Sequence, residues 1–153
     1  MKLAPAAAVS ACLHTLVGKN VGVSQLKTVT FPPKGDSRCW LSRLVDDEGK
    51  EVRVVVADLL ATIGSGGALM MLPPALLDEQ RASKLPSEDV LSAMEEVANS
   101  LSATINQQPH GLHVRVRPLE PVTPGALDWT KSATLATSFE LADGFGHLFI
   151  FAH

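Results

Sequence analysis

The stretch that most constrains this chain is SEDVLSAMEEVANSLSATIN, Ser87 to Asn106, whose apolar residues recur at helical spacing. At 3.6 residues per turn each residue advances about 100°. With Glu96 set at zero, Val90, Leu91, Met94, Val97, Ala98, Leu101 and Ile105 fall within an arc of roughly 120° centred nearly opposite it. Ser87 is placed to cap the helix, and Glu88 and Asp89 put negative charge at the positive end of its dipole. The spacing predicts a helix from near Ser87 to about Asn106, with an apolar stripe that has to be buried against the rest of the fold.

The opposite face is unusual for a solvated one. Ser92, Asn99 and Ala103 fall within about 60° of Glu96. They form a narrow strip of low relief, where Lys, Arg and Gln would ordinarily crowd. Asn is also a poor mid-helix residue, because its amide competes for backbone hydrogen bonds. A single acid and a single amide, one turn apart and flanked by Ser92, Ala93, Ser100 and Ala103, leave room for another protein's surface to approach the helix.

The rest of the chain reads as helix, strands, helix, strands. Residues 5–17 suit a first helix, with Pro5 near its first turn and Gly18 at its end. VGVSQLKTVTF reads as a strand closed by PPKGDS; CWLSRLV and KEVRVVVAD read as strands joined by the turn DDEG. DLLATIGSGGALMML is either a helix weakened by Gly64, Gly66 and Gly67 or two short pieces around a glycine turn. Pro73 and Pro74 close it, and a polar stretch runs to Lys84. LHVRVRPL alternates as a strand, PVTPG is a turn, and SATLATSFEL and HLFIFAH flank ADGFG as a terminal hairpin. This order fits an α+β fold, an antiparallel sheet with two long helices packed on one face, in which the two halves are diverged copies of one unit.

The totals narrow the class. A chain of 153 residues, 46% hydrophobic and 19% charged, is the size of one domain and buries enough surface to need no disulfide or metal staple. Residues 1–153 are therefore expected to form a single domain. The net charge of -3, with no two adjacent basic residues, argues against nucleic-acid binding. No stretch of 18 apolar residues is present, so no membrane span is expected. Cys12 and Cys39 read as buried free thiols. Val9-Ser10-Ala11-Cys12 has the outline of a lipoprotein cleavage box, but the preceding apolar run is short and broken by Pro5, so a helix is the better reading.

Ser92-x-x-x-Glu96-x-x-Asn99, followed after 21 residues by Pro121, resembles the signature of the CheC–CheX–FliY phosphatases of bacterial chemotaxis. The layout is similar as well, closest to CheX, since only one Glu-x-x-Asn pair occurs. Two positions depart from the family pattern: Ala103 stands where members often carry Gly, and Pro121 comes one residue early.

The resemblance implies a cytoplasmic phosphatase of two-component signalling, whose partner is a phosphorylated CheY-like response regulator. The chain would need no cofactor of its own, since Mg²⁺ and a lysine beside the aspartyl phosphate belong to the regulator. Asn99 would orient the attacking water. A carboxamide can accept from water and donate to a phosphoryl oxygen without repelling it, and phosphoryl transfer is chiefly positioning and electrostatics. Glu96 would pair with the regulator's lysine and set the register, and Ser92, Ala103 and Pro121 would contact the partner. A homodimer through a sheet edge is also implied, with HLFIFAH as the candidate edge. The alternative is a non-catalytic CheC-like module that docks a receiver domain or a flagellar or signalling partner.

Other signals are weaker. GSGG, residues 64–67, lacks the Lys-Ser/Thr of a phosphate loop and reads as a flexible turn. His110 and His113 have no further ligands close in sequence for a metal site. Trp40 and Trp129 suit a core or an interface.

Overall fold

The computed structural model describes residues 6–18, 22–31, 38–105, 113–133, 135–142 and 145–152. In chain order the elements are α1 (Ala6–Val17), β1 (Val23–Gln25), β2 (Cys39–Val45), β3 (Glu51–Asp58), α2 (Leu59–Leu69), α3 (Pro74–Ser83) and α4 (Glu88–Ile105). There follow β4 (Arg115–Val116), β5 (Glu120–Pro121), a 3₁₀ turn (Asp128–Ser132), β6 (Leu135–Leu141) and β7 (His147–Ala152). His110 and Asn106 lie outside the described residues. None of the described helices is long and apolar enough to cross a membrane.

The β2–β3 hairpin forms where the sequence places it. Asp46 organises its turn by accepting from the Glu48 and Lys50 amides at 3.0 and 2.9 Å. All strands join one 7-stranded antiparallel sheet of order β1-β6-β7-β3-β2-β4, with β5 also on β2. This order carries the internal symmetry expected of a diverged repeat. Exchanging α1-β1-β2-β3 for α4-β4-β6-β7 turns the order into the same one read backwards. β3 and β7 meet at the centre, and each half lends its first strand to the other half's edge.

That topology corrects one expectation. HLFIFAH is no edge: β7 pairs with β6 on one side and β3 on the other. Its two apolar faces have a different cause, because both sides of the sheet centre are covered. Leu148 and Ile150 face the helices and share a core with Val9, Leu13, Met94, Val97 and Leu101. Phe149 and Phe151 face the other way and pack with Val54, Val56, Leu41 and Leu127. The outer strands are β1 at one end and β4 and β5 at the other.

The second face is closed by connections rather than by helices. The expected strand from residue 21 to 31 pairs only over Val23–Gln25. It then leaves the edge and brings Phe31 over the sheet, its ring 5.3 Å from Phe149 and 5.6 Å from Phe151. The 3₁₀ turn does the same from the other side, setting Trp129 edge-on to Phe151 at 6.4 Å. Likewise LHVRVRPL yields only the short β4, and the ladder resumes on β5.

Residues 59–69 form one continuous helix, so the glycines neither break it nor make a flexible turn. Asp58 caps it through the Ala61 amide at 2.8 Å. The other Asp58 carboxylate oxygen accepts from the His147 amide at 3.0 Å, tying the start of β7 to the start of α2. Every residue from Ala61 to Ala68 is buried. A Cβ on Gly66 would stand 2.5 Å from the Val90 carbonyl oxygen, so only glycine lets α2 come this close to α4. α3 falls in the stretch read only as polar. It opens on Pro74 and buries only Leu77, hence its weak apolar pattern.

Candidate functional site

α4 begins where the sequence places it. Val90 donates its amide to the Ser87 hydroxyl at 3.3 Å, and Ser87 donates its own amide to the Gln80 side chain at 2.9 Å, so the end of α3 holds the start of α4. Val90, Met94, Val97, Ala98 and Leu101 are all 1% exposed or less. Leu91 is half-buried, packed near Trp40, Leu77 and Leu119. Each fully buried Val, Met or Leu side chain contributes about 1.5–3 kcal/mol of burial, which makes α4 an integral part of the core.

The strip opposite is open. Ser92, Glu96, Asn99 and Ala103 are all exposed. Glu96 and Asn99, at i and i+3, stand on one face, and the arc drawn from sequence is the one the core occupies. Ala93 is an exception: expected beside the strip, it is buried near the crossing where Gly66 meets Val90 and Met94. Ser100 is half-buried. The Ser102 hydroxyl donates to the Asn99 carbonyl at 2.6 Å, a bond within the helix that leaves the Asn99 carboxamide outside it.

The charge on this helix has one sign. Glu88, Asp89, Glu95 and Glu96 are its only ionisable side chains, and it contains no Lys, Arg or His. Its outer face therefore favours a cationic group on whatever approaches it.

Pro121 lies on a different element. It is exposed on β5, opposite Trp40 across the ladder with β2. Two residues earlier, Leu119 joins the cluster that holds Leu91 of α4. Glu120 receives the Arg43 guanidinium at 2.9 Å, and Arg43 also pairs with Glu51, which raises its pKa mainly through that Glu51 bond. The structure thus gathers Ser92, Glu96, Asn99 and Ala103 on one strip and holds Pro121 at the sheet edge.

Other polar groups pair away from this strip. The His113 ring lies 2.9 Å from Asp47, and that contact holds the Asp47 carboxyl below its usual range. Among the described residues, no three His, Cys, Asp or Glu side chains come together as a metal site. Burial, then Asp58, pushes the Cys39 thiol up to about 12, so it stays protonated and inert. Cys12 is only half-buried, less enclosed than its sequence suggests. Trp40 is buried and Trp129 half-buried, both in apolar clusters.

The sequence matches no protein-family model, and no curated protein resembles it at the level of sequence. The fold has clear relatives. FliY from Thermotoga maritima superposes with a TM-score of 0.61 at 14% identity, over 95% of this chain and 82% of that one. A chain of the CheX–CheY–BeF3–Mg²⁺ complex from Borrelia burgdorferi superposes at 0.56 and 17% identity, over 95% and 92%. A chain of the FliM–SpeE complex from H. pylori gives 0.67 at 9% identity, over 96% and 80%. The layered helices, the seven-stranded antiparallel sheet and these superpositions together give this chain the fold of the CheC, CheX and FliY chemotaxis proteins.

Proposed function

We propose that this chain is a phosphatase of aspartyl-phosphorylated receiver domains, acting by insertion of α4 into the partner's active site. The observation that carries the reading is the exposure of Glu96 and Asn99 on one face of a helix whose opposite face is locked in the core. A phosphatase of this kind brings few groups of its own. The receiver supplies the phosphoryl group, its Mg²⁺ and a lysine, and one of the solved relatives is a complex with CheY, BeF3 and Mg²⁺.

Asn99 then acts as the positioning group. Its carbonyl oxygen accepts from a water and its amide donates toward a phosphoryl oxygen, fixing the water in line with the aspartyl oxygen. The water oxygen forms a bond to phosphorus as the bond to the aspartyl oxygen breaks. The aspartate leaves as a carboxylate, and inorganic phosphate carries away the water's oxygen. Glu96 meets the receiver's lysine and sets the register of Asn99 over the phosphorus. Ser92 and Ala103 admit the partner's surface, with Pro121 as a further contact at the sheet edge. The homodimer remains part of the proposal, with one of the outer strands rather than β7 as the pairing edge.

The test is phosphate release from a panel of phosphorylated receiver domains, with wild type and Asn99→Ala. Acceleration that is lost in Asn99→Ala supports the reading, and chelation of Mg²⁺ should stop it through the receiver's own site. The second reading, docking without turnover, is favoured by Ala103 in place of the family's Gly and by the likeness to a chain of the FliM–SpeE complex. It is correct if wild type binds a receiver domain and accelerates none.

A further inference from the structure

A groove of about 440 Å³ lies between α1 and α4, lined by Ala8, Ala11, Cys12, Thr15 and Leu16 from one helix and by Ser100 and Thr104 from the other. The α1 residues recur at i, i+3, i+4, i+7 and i+8, a stripe on the flank of the Val9, Leu13 and Val17 core stripe. The α4 pair at i and i+4 flanks the exposed strip on the Glu96 side, since Ser100 and Thr104 stand about 40° and 80° round the helix from it. Along the N-terminal half of α4 that same flank is closed, with Ala93 buried near the α2 crossing. Along the C-terminal half it opens into the groove. Apart from Leu16 the lining is of short side chains, and none of them is charged.

We infer that this groove seats an apolar side chain of the phosphorylated receiver domain and so selects among receivers. The inference rests on the phosphatase reading and extends it from chemistry to specificity. Two properties of α4 set the direction of docking. Its N-terminal half carries Glu88, Asp89, Glu95 and Glu96, which draw a cationic surface. Its C-terminal half is uncharged, and the groove opens on the strip's flank there. A receiver whose lysine is held at Glu96 and whose phosphoryl group faces Asn99 extends over Ser100 and Ala103, and a residue projecting toward α1 enters the groove. Ser100 lines the groove and follows Asn99 on α4, so a single partner surface can span both. A second, smaller pocket beside Phe31 and Thr123 opens on other elements and cannot be reached by the same partner surface.

Cys12 makes the test direct. It is half-buried in the groove wall, whereas Cys39 is buried and its thiol protonated, so alkylation of the folded protein with N-ethylmaleimide marks the groove alone. Kinetics of phosphate release are measured on receiver domains charged with acetyl phosphate, before and after alkylation, and with Ala11→Trp, which fills the groove from an exposed helix position. The expected result is a rise of roughly tenfold in KM with the loss absent from kcat, the worth of one buried apolar side chain. Alkylation should also change the ranking of receivers in the panel. Wild type that turns over receivers and is indifferent to both treatments overturns this inference and leaves the phosphatase reading standing. Wild type that neither binds nor dephosphorylates any receiver overturns both. Circular dichroism of the alkylated protein and of Ala11→Trp must match wild type, and alkylation that unfolds the chain would itself show that Cys12 belongs to the core and not to a docking groove.

Discussion

α1 and α4 hold equivalent places in the fold. Each opens its half of the repeat, each packs on the same face of the sheet, and each contributes a stripe to one core: Val9, Leu13 and Val17 from α1, and Met94, Val97 and Leu101 from α4. Their outer faces differ. α1 is 12 residues long and presents Ala7, Ala11, His14 and Thr15; α4 is 18 long and presents Ser92, Glu96, Asn99 and Ala103. Only α4 is also clamped from the side, by the close approach of Gly66 on α2. The symmetric scaffold offers two platforms, and the sequence has equipped and braced one of them. Chemistry that depends on fixing a water to within fractions of an ångström belongs on the braced helix.

The comparison breaks first at Asn99. Asn99→Ala should lower turnover of a phosphorylated receiver by about 10²–10³-fold, the scale for removing one group that positions or stabilises the transition state. Stability should hold or rise slightly, since Ala is the better helix former at an exposed position. Stopped-flow phosphate release and a urea melt check both halves. His14→Ala on the outer face of α1 should leave turnover within experimental error, and a large loss there would mean that the two helices are not functionally distinct.

Bracing is tested at Gly66. A valine there would drive its Cβ against the Val90 backbone carbonyl, which cannot swing aside as a side chain could. Gly66→Val should cost about 1–3 kcal/mol in a urea melt, with activity falling as α4 is displaced. A neutral substitution would mean that α2 does not set the position of the strip.

How much of this was legible beforehand depended on whether a pattern had a single cause. The α4 stripe had one, a helix with one face in the core, so the burial of Val90, Met94, Val97, Ala98 and Leu101 and the exposure of Glu96 and Asn99 follow from the period alone. The β2–β3 hairpin was equally plain. HLFIFAH was not: an apolar strand on both faces is what an edge awaiting a partner and a doubly covered centre both look like, and only the position of β7 between β6 and β3 separates them. The glycines of α2 misled in the same way, because the residue that frees a loop is also the one that lets two helices touch. α3 and the 3₁₀ turn left almost no periodic signal, burying Leu77 in one case and laying Trp129 on Phe151 in the other. Glu96 and Asn99, the residues proposed to act, were singled out by the motif, whereas the α1–α4 groove depends on two segments far apart in sequence and has no local signature.

Glu96 sharpens the contrast between docking and chemistry on α4. Glu96→Ala removes the charge expected to meet the receiver's lysine, so both KM and kcat should suffer, with binding weakened by roughly tenfold and more strongly at low salt. Glu96→Gln, which keeps the shape, separates charge from packing. If Glu96→Ala changes kcat alone, with KM and salt dependence untouched, the acid acts on the reacting centre and not as a register pin.

The smallest effect concerns the buried thiol at the start of β2. Cys39 has its pKa raised from 9.0 to about 12, first by burial and then by Asp58. An acid whose folded pKa lies above its unfolded one keeps its proton in the native state while the unfolded chain loses it. Between about pH 9 and pH 12 the unfolded state therefore binds fewer protons, and stability falls as pH rises through that window. The fall attributable to Cys39 is at most about tenfold in the folding constant per pH unit. Cys39→Ala should shift stability by a constant amount below pH 9 through the lost packing, and the gap to wild type should then narrow as the pH is raised. Parallel urea melts of wild type and Cys39→Ala from pH 8 to pH 10.5 make the comparison; curves that stay parallel throughout would mean that the sheet end at Cys39 and Asp58 is open to water.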